Sequence, residues 1–165
     1  MNTRLLNLAH AADGRFFRPD ERDDIVAFAH SVPARCRVAE AVEAREEPAL
    51  RAVVETLQQK YPSFSKHHDQ GWACCYRDLQ LVLRHDVQAM IFDDCDMLDE
   101  RILFWLRTMF SANNYTPQFC RDCFASLQDH MRTHLPADDF ELLRPFLDRN
   151  IEVLGDFPEP VNPAV

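Results

Sequence analysis

The stretch Trp72–Ile91, WACCYRDLQLVLRHDVQAMI, decides how the rest of the chain is read. Its apolar residues fall at Trp72, Cys75, Tyr76, Leu79, Val82, Leu83, Val87, Met90 and Ile91. Intervals of three and four are the period of a helix with one buried stripe. No Gly or Pro interrupts the stretch after Gly71, and Asp69 can cap its start. This predicts a long central helix. Cys75, Arg77 and Asp78 lie within one of its turns, the densest chemical cluster in the sequence. At about 100° per residue, Asp78 lies about 60° from Cys75 and Arg77 about 160° away. Cys75 and Asp78 therefore share a flank, which His85 joins further along. Arg77 reaches that flank only by curling round the helix edge. Asp86 is the misfit: it interrupts the apolar stripe and needs a partner if buried.

Working outward, the three glycines and ten prolines sit where helices should begin or end. Thr3 to Ala12 reads as a short helix broken at Asp13-Gly14. Pro19, followed by Asp20, Glu21, Asp23 and Asp24, starts the next, since proline fixes the first φ and acids favour the positive end of the helix dipole. Pro33 is expected to end or kink that helix near Val32, with a further one from about Ala34 to Arg45. Pro48 starts a helix through Leu50, Val53, Val54 and Leu57 that ends before Pro62, and the polar loop SFSKHHDQG leads to the central helix. After the acidic break Asp93 to Asp96, Leu98 to about Ser111 reads as helix with Ile102, Leu103, Leu106, Met109 and Phe110 inward. Thr116-Pro117 caps a helix that buries Phe119, Cys120, Cys123, Phe124 and Leu127. Pro136 starts the last, through Phe140, Leu143, Phe146, Leu147 and Ile151. No alternation is long enough for a strand, so the expectation is an all-α domain over residues 1–154 with a Pro-rich, extended tail over 155–165.

A chain of 165 residues with 47% hydrophobic and 27% charged residues can bury a proper core. A net charge of −9 argues against nucleic acid or an anionic membrane as partner. No apolar run approaches membrane-spanning length and no leader-like opening is visible, so a cytoplasmic location with six free thiols is expected. Cys120-x-x-Cys123 has no second pair to complete a zinc site and reads as core. His130 with His134, and His67 with His68, have chelating spacing but read as solvated.

Cys75-x-Arg77-Asp78, then Leu83-Arg84, Asp99-Glu100 and Pro117, resembles the phycobiliprotein subunits, globin-like proteins that bind linear tetrapyrroles. The likeness runs from Cys75 to about His134. Ala12-Asp13-Gly14-Arg15-Phe16 and Lys60-Tyr61-Pro62 extend it upstream. The chain departs from the light-harvesting members in a shorter loop between Pro62 and Cys75, in Leu81 and Val82 where they carry tyrosines, and in the acidic DDCDM before Asp99. It is more similar to the bilin-biosynthesis-associated globins of bacteria without phycobilisomes.

The resemblance implies a non-enzymatic bilin-binding protein on a globin-like fold with an N-terminal helical extension, carrying or storing a bilin such as biliverdin or phycocyanobilin. It implies a thiol at Cys75, a carboxylate at Asp78 for the inner-ring N–H groups, a cation at Arg77 for a propionate, and His85 by the ligand's far end; covalent and non-covalent attachment both stay open. It also implies a homodimer through the N-terminal helices, with Asp13 of one copy meeting Arg84 of the other, and bilin-biosynthesis enzymes as further partners. Two other readings stand beside it. One is a haem-binding globin using His85, since Leu98 to Ser111 supplies no histidine; the other is an interaction protein that keeps the fold without a cofactor.

Overall fold

Four of the helices begin where a side chain satisfies a backbone N–H group at the helix start. The structure, a computed structural model, describes residues 2–64 and 70–163. Among these, α1 spans Thr3–Ala11, α2 Pro19–Glu43, α3 Glu46–Lys60, α4 Gly71–Phe92, α5 Cys95–Leu98, α6 Phe104–Ala112, α7 Pro117–His134 and α8 Ala137–Leu154. No strand occurs among the described residues. The all-α expectation is borne out. Thr116 accepts from the Phe119 N–H at 3.2 Å with Pro117 opening α7, and Asn2 accepts from the Leu5 N–H at 3.0 Å to start α1. At the head of α2, buried Glu21 accepts from the Arg18 N–H at 2.8 Å and from both terminal nitrogens of Arg15, each at 2.8 Å. That clamp holds the Glu21 carboxyl down at about 2. It closes the α1–α2 turn, whose Gly14 takes a φ of 72° that a side chain would strain.

Two expectations give way here. Pro33 does not end a helix: α2 runs through it for 25 residues. Proline leaves the Ala29 carbonyl without its usual donor, but contacts on either side hold the helix together. Ser31 donates to the Phe28 carbonyl at 2.8 Å, and buried Arg35 donates to the Met90 carbonyl at 2.6 Å while pairing with Asp93 at 2.8 Å. Val38 and Val42 then bury the second half of α2. The second correction concerns Leu98 to Ser111, which is not one α-helix. α5 passes into a π-helical turn, Asp99–Leu103, before α6. The wider winding re-phases the residues after it. Ile102, Leu103, Leu106 and Phe110 stay buried while Met109 faces outward. The acidic break is also more than solvated charge: buried Asp94 caps α5 through the Met97 N–H at 3.1 Å, and Asp99 meets Arg149 of α8 at 2.6 Å.

α4 is the central member, packed against α2, α3, α7 and α8, while α7 and α8 share the most extensive contact. Asp86 lies in the middle of α4 with 0% exposure, and its partner is Asn150 of α8, which donates to Asp86 Oδ2 at 2.7 Å. Asp86 Oδ1 and Asn150 Oδ1 are buried acceptors without a donor. A proton on the carboxyl replaces a buried charge with a donor, and burial pushes Asp86 up to about 8. The native state therefore holds a proton that the unfolded chain releases near pH 4, so stability falls as pH rises from about 4 to about 8. Urea titrations at several pH values should show this slope, on the order of 1 kcal/mol per pH unit, in the wild type and a flatter profile in Asp86→Asn.

Candidate functional site

Cys75 and Asp78, one turn apart on α4, line the same slot, together with Cys120 and Cys123 of α7 and a wall of aromatic rings. The slot holds about 20 Å³, room for one water. Aromatic side chains occupy the rest. Phe64 has no exposed surface and meets the rings of Trp72 at 4.7 Å, Phe119 at 4.8 Å and Tyr115 at 5.7 Å. The polar loop expected before α4 thus holds a core residue at its second position, which its flanking serines, lysine and histidines conceal. Ser65 to Asp69, with the proposed Asp69 cap and the His67-His68 pair, lie outside the described residues.

The charges of the cluster are arranged at the slot's rim. Asp78 is 16% exposed in its side chain, and desolvation raises its carboxyl above the ordinary range. Arg77 offsets part of that shift. Its side chain curls back and donates through Nε at 3.0 Å and a terminal nitrogen at 2.8 Å, both to Asp78 Oδ1. The half-buried ring of Tyr115 lies by Asp78, Cys74 and Cys75, next to Asn114 at a φ of 58°. Burial raises the Tyr115 hydroxyl to about 12, so it stays protonated as a donor.

The other sequence candidates fall elsewhere. His85 does not line the slot; its Nδ1 engages the Leu81 carbonyl at 2.8 Å, about 15 Å along the helix from Cys75. Arg84 is held within its own chain by Glu46, at 2.8 and 2.7 Å, and Asp13 is exposed. Cys120 and Cys123 are buried as expected, but they stand beside Cys75 rather than in anonymous core. Nothing in the sequence pairs α7 with the start of α4, so this convergence was not visible there. Tyr61 donates to Asp122, which also accepts from Lys60 at 2.6 Å and Gln118 at 3.0 Å, tying α3 to α7. The rings of His130 and His134 stack at 4.0 Å, and burial together with His134 lowers His130. Among the described residues, no three or more His, Cys, Asp or Glu side chains are placed so that they could hold a metal ion.

Fold and cluster together define an all-helical, globin-like protein with a thiol, a carboxylate and a guanidinium gathered on its central helix. The profile of the family described as "Phycobilisome protein" matches residues 8–154, and the chain belongs to that family. It is similar to the allophycocyanin alpha subunit of a Picosynechococcus species, 27% identical over 106 residues, covering 61% of this chain and 66% of the relative. It is also similar to allophycocyanin subunit beta-18 of Cyanophora paradoxa, 24% identical over 104 residues (60% and 62% covered), and to a phycobiliprotein beta chain of Mastigocladus laminosus, 25% identical over 104 residues with the same coverage. The matches span slightly less than two thirds of these relatives' lengths.

Because Phe64 joins the α3 end to the α4 and α7 aromatics, Phe64→Ala should cost about 3–5 kcal/mol in urea unfolding. A loss below about 1 kcal/mol would show that the ring cluster does not hold the slot closed.

Proposed function

We propose that this protein binds a bilin, an open-chain tetrapyrrole, at the Cys75–Asp78 slot, and carries or stores it for the enzymes that make or use it. The supporting observation is that a thiol and a partly desolvated carboxylate face one slot whose rim holds a guanidinium. A bound bilin supplies pyrrole N–H groups, two propionates and an exocyclic double bond. Asp78 accepts from the N–H groups, and its desolvation strengthens those bonds. Arg77 turns from Asp78 to a propionate, exchanging one carboxylate for another. In covalent attachment, the Cys75 sulfur forms a C–S bond as the double bond is lost, and the thiol proton passes to the neighbouring carbon. The donor set fits this ligand. Its bulk exceeds about 20 Å³, so binding requires the Tyr115 and Phe64 rings to move aside.

Co-expression with a bilin-producing pathway should give purified protein with visible absorption. Zinc-dependent fluorescence on a denaturing gel marks a covalent adduct, and Cys75→Ala removes it. Colour lost on denaturation indicates non-covalent binding, and protein that stays colourless in saturating bilin overturns the reading.

The assembly proposed is a homodimer through the N-terminal arm. α1 buries none of its residues fully, and Phe16 is 97% exposed at the α1–α2 turn. Phe17 and Val26 add apolar surface nearby in sequence, an area that a second copy covers. Arg84 keeps 58% side-chain exposure, so the partner's Asp13 can approach it alongside Glu46. Sedimentation should give a dimer for the wild type and a monomer for Phe16→Asp with Val26→Asp; a wild-type monomer at high concentration would rule the arm out.

A further inference from the structure

We propose that Cys75 of α4 and Cys123 of α7 form a redox-convertible thiol pair that decides whether Cys75 is open to an electrophile. Its consequence for the ligand rests on the bilin reading; the bond between the two sulfurs does not.

Three of the six cysteines line one slot, and two of them come from a helix other than that of Cys75. Cys75 and Cys123 line that slot from two helices, and Cys75 is near enough to help raise the Cys123 thiol. Both are buried, at 9% and 4% exposure, and the slot they line admits about one water. Desolvation keeps Cys123 in its thiol form, followed by the effect of Cys75 itself. Of the pair, Cys75 is the more exposed and carries the nucleophilic role.

The same dimensions select the oxidant. Even in its closed state, a slot of water size admits hydrogen peroxide. The Cys75 sulfur attacks one peroxide oxygen; the O–O bond breaks, water leaves, and Cys75 becomes a sulfenic acid. The Cys123 sulfur then attacks the Cys75 sulfur, the S–O bond breaks, and a second water leaves. Two thiols and one peroxide give one disulfide and two waters. The disulfide bridges α4 and α7 and removes the sulfur that a bilin would need; a small dithiol reductant restores it. Cys120 lines the same slot and is the competing partner.

The test uses the full-length, ligand-free protein treated with hydrogen peroxide, blocked with N-ethylmaleimide and mapped by peptide mass spectrometry. The expected result is a Cys75–Cys123 cross-linked peptide, two hydrogens lighter than the reduced pair and reversed by dithiothreitol. It should be absent in Cys123→Ser, with Cys123→Ala as a second variant should the first not fold. Peroxide-treated wild type should take up bilin covalently only after reduction, whereas in Cys123→Ser, which lacks the resolving thiol, peroxide should leave an oxygen adduct on Cys75 in place of the cross-link. A cross-link to Cys120 or Cys74, or a Cys75 that stays fully alkylatable, overturns the proposal. Should bilin uptake fail throughout, the cross-linked peptide still decides the thiol pair alone.

Discussion

A carboxyl group with no solvent contact, Asp86, is met by the side-chain amide of Asn150, and this hydrogen bond at 2.7 Å sets the phase of the central helix. In a low-dielectric interior an unpartnered acid costs far more than one that is paired, so α4 cannot rotate without leaving Asp86 stranded. Eleven residues separate Cys75 from Asp86, three turns within about 20°, so the two lie almost on one line of the helix. Fixing Asp86 inward therefore fixes Cys75 inward. It also leaves Asp78, about 80° from Asp86, at the edge where burial meets solvent. The geometry of the cluster is inherited from a polar contact three turns further along the helix.

That inheritance sets packing against reactivity. A thiol on the buried stripe is well placed to hold a ligand within the fold and poorly placed to meet one from solvent. The Phe64, Phe119 and Tyr115 rings press the slot shut through edge contacts and tilted stacking, worth about 0.5–1.5 kcal/mol per pair. Such contacts are modest and less directional than a hydrogen-bond network. They can be exchanged for the faces of a planar, conjugated ligand at little net loss. Asp78 and Arg77 make the same kind of exchange at the rim, since their ion pair is half solvated and holds neither group firmly.

How much of this was legible in the sequence follows from how local each feature is. The start of α7 at Thr116-Pro117, the acids after Pro19 and the phase of Cys75 against Asp78 depend on residues within one turn, and each reads directly from spacing and capping chemistry. Asp86 announced itself by breaking the apolar stripe, although its partner on α8 did not. The failures are contacts between distant segments. Pro33 reads as a breaker because the Arg35 bonds to Met90 and Asp93 come from the end of α4. Phe64 hides in a polar run because its partners lie on α4 and α7 and in the loop before α7. Met109 was placed inward on an unbroken α period, which one π turn undoes. The convergence of Cys75 and Cys123 on one slot belongs to the same class, two helices with no local sign of each other.

The closed slot and the binding reading are reconciled by treating the described state as one member of an equilibrium. A ligand moves such an equilibrium only by its differential affinity for the open form. Here that difference has identifiable sources: an acid whose desolvation is relieved by N–H donors, a guanidinium that keeps a carboxylate partner throughout, and aromatic surface re-covered by the ligand. Opening need not disturb the core below, because Asp86–Asn150 and Asp99–Arg149 hold α4 and the π turn to α8 away from the slot. Tyr115 is the natural element to move. It belongs to the segment between α6 and α7, beside a residue in the left-handed region, and its displacement breaks no helix. On the bilin reading, the Asp86 half of α4 is the anchor and the Tyr115 ring the part that yields.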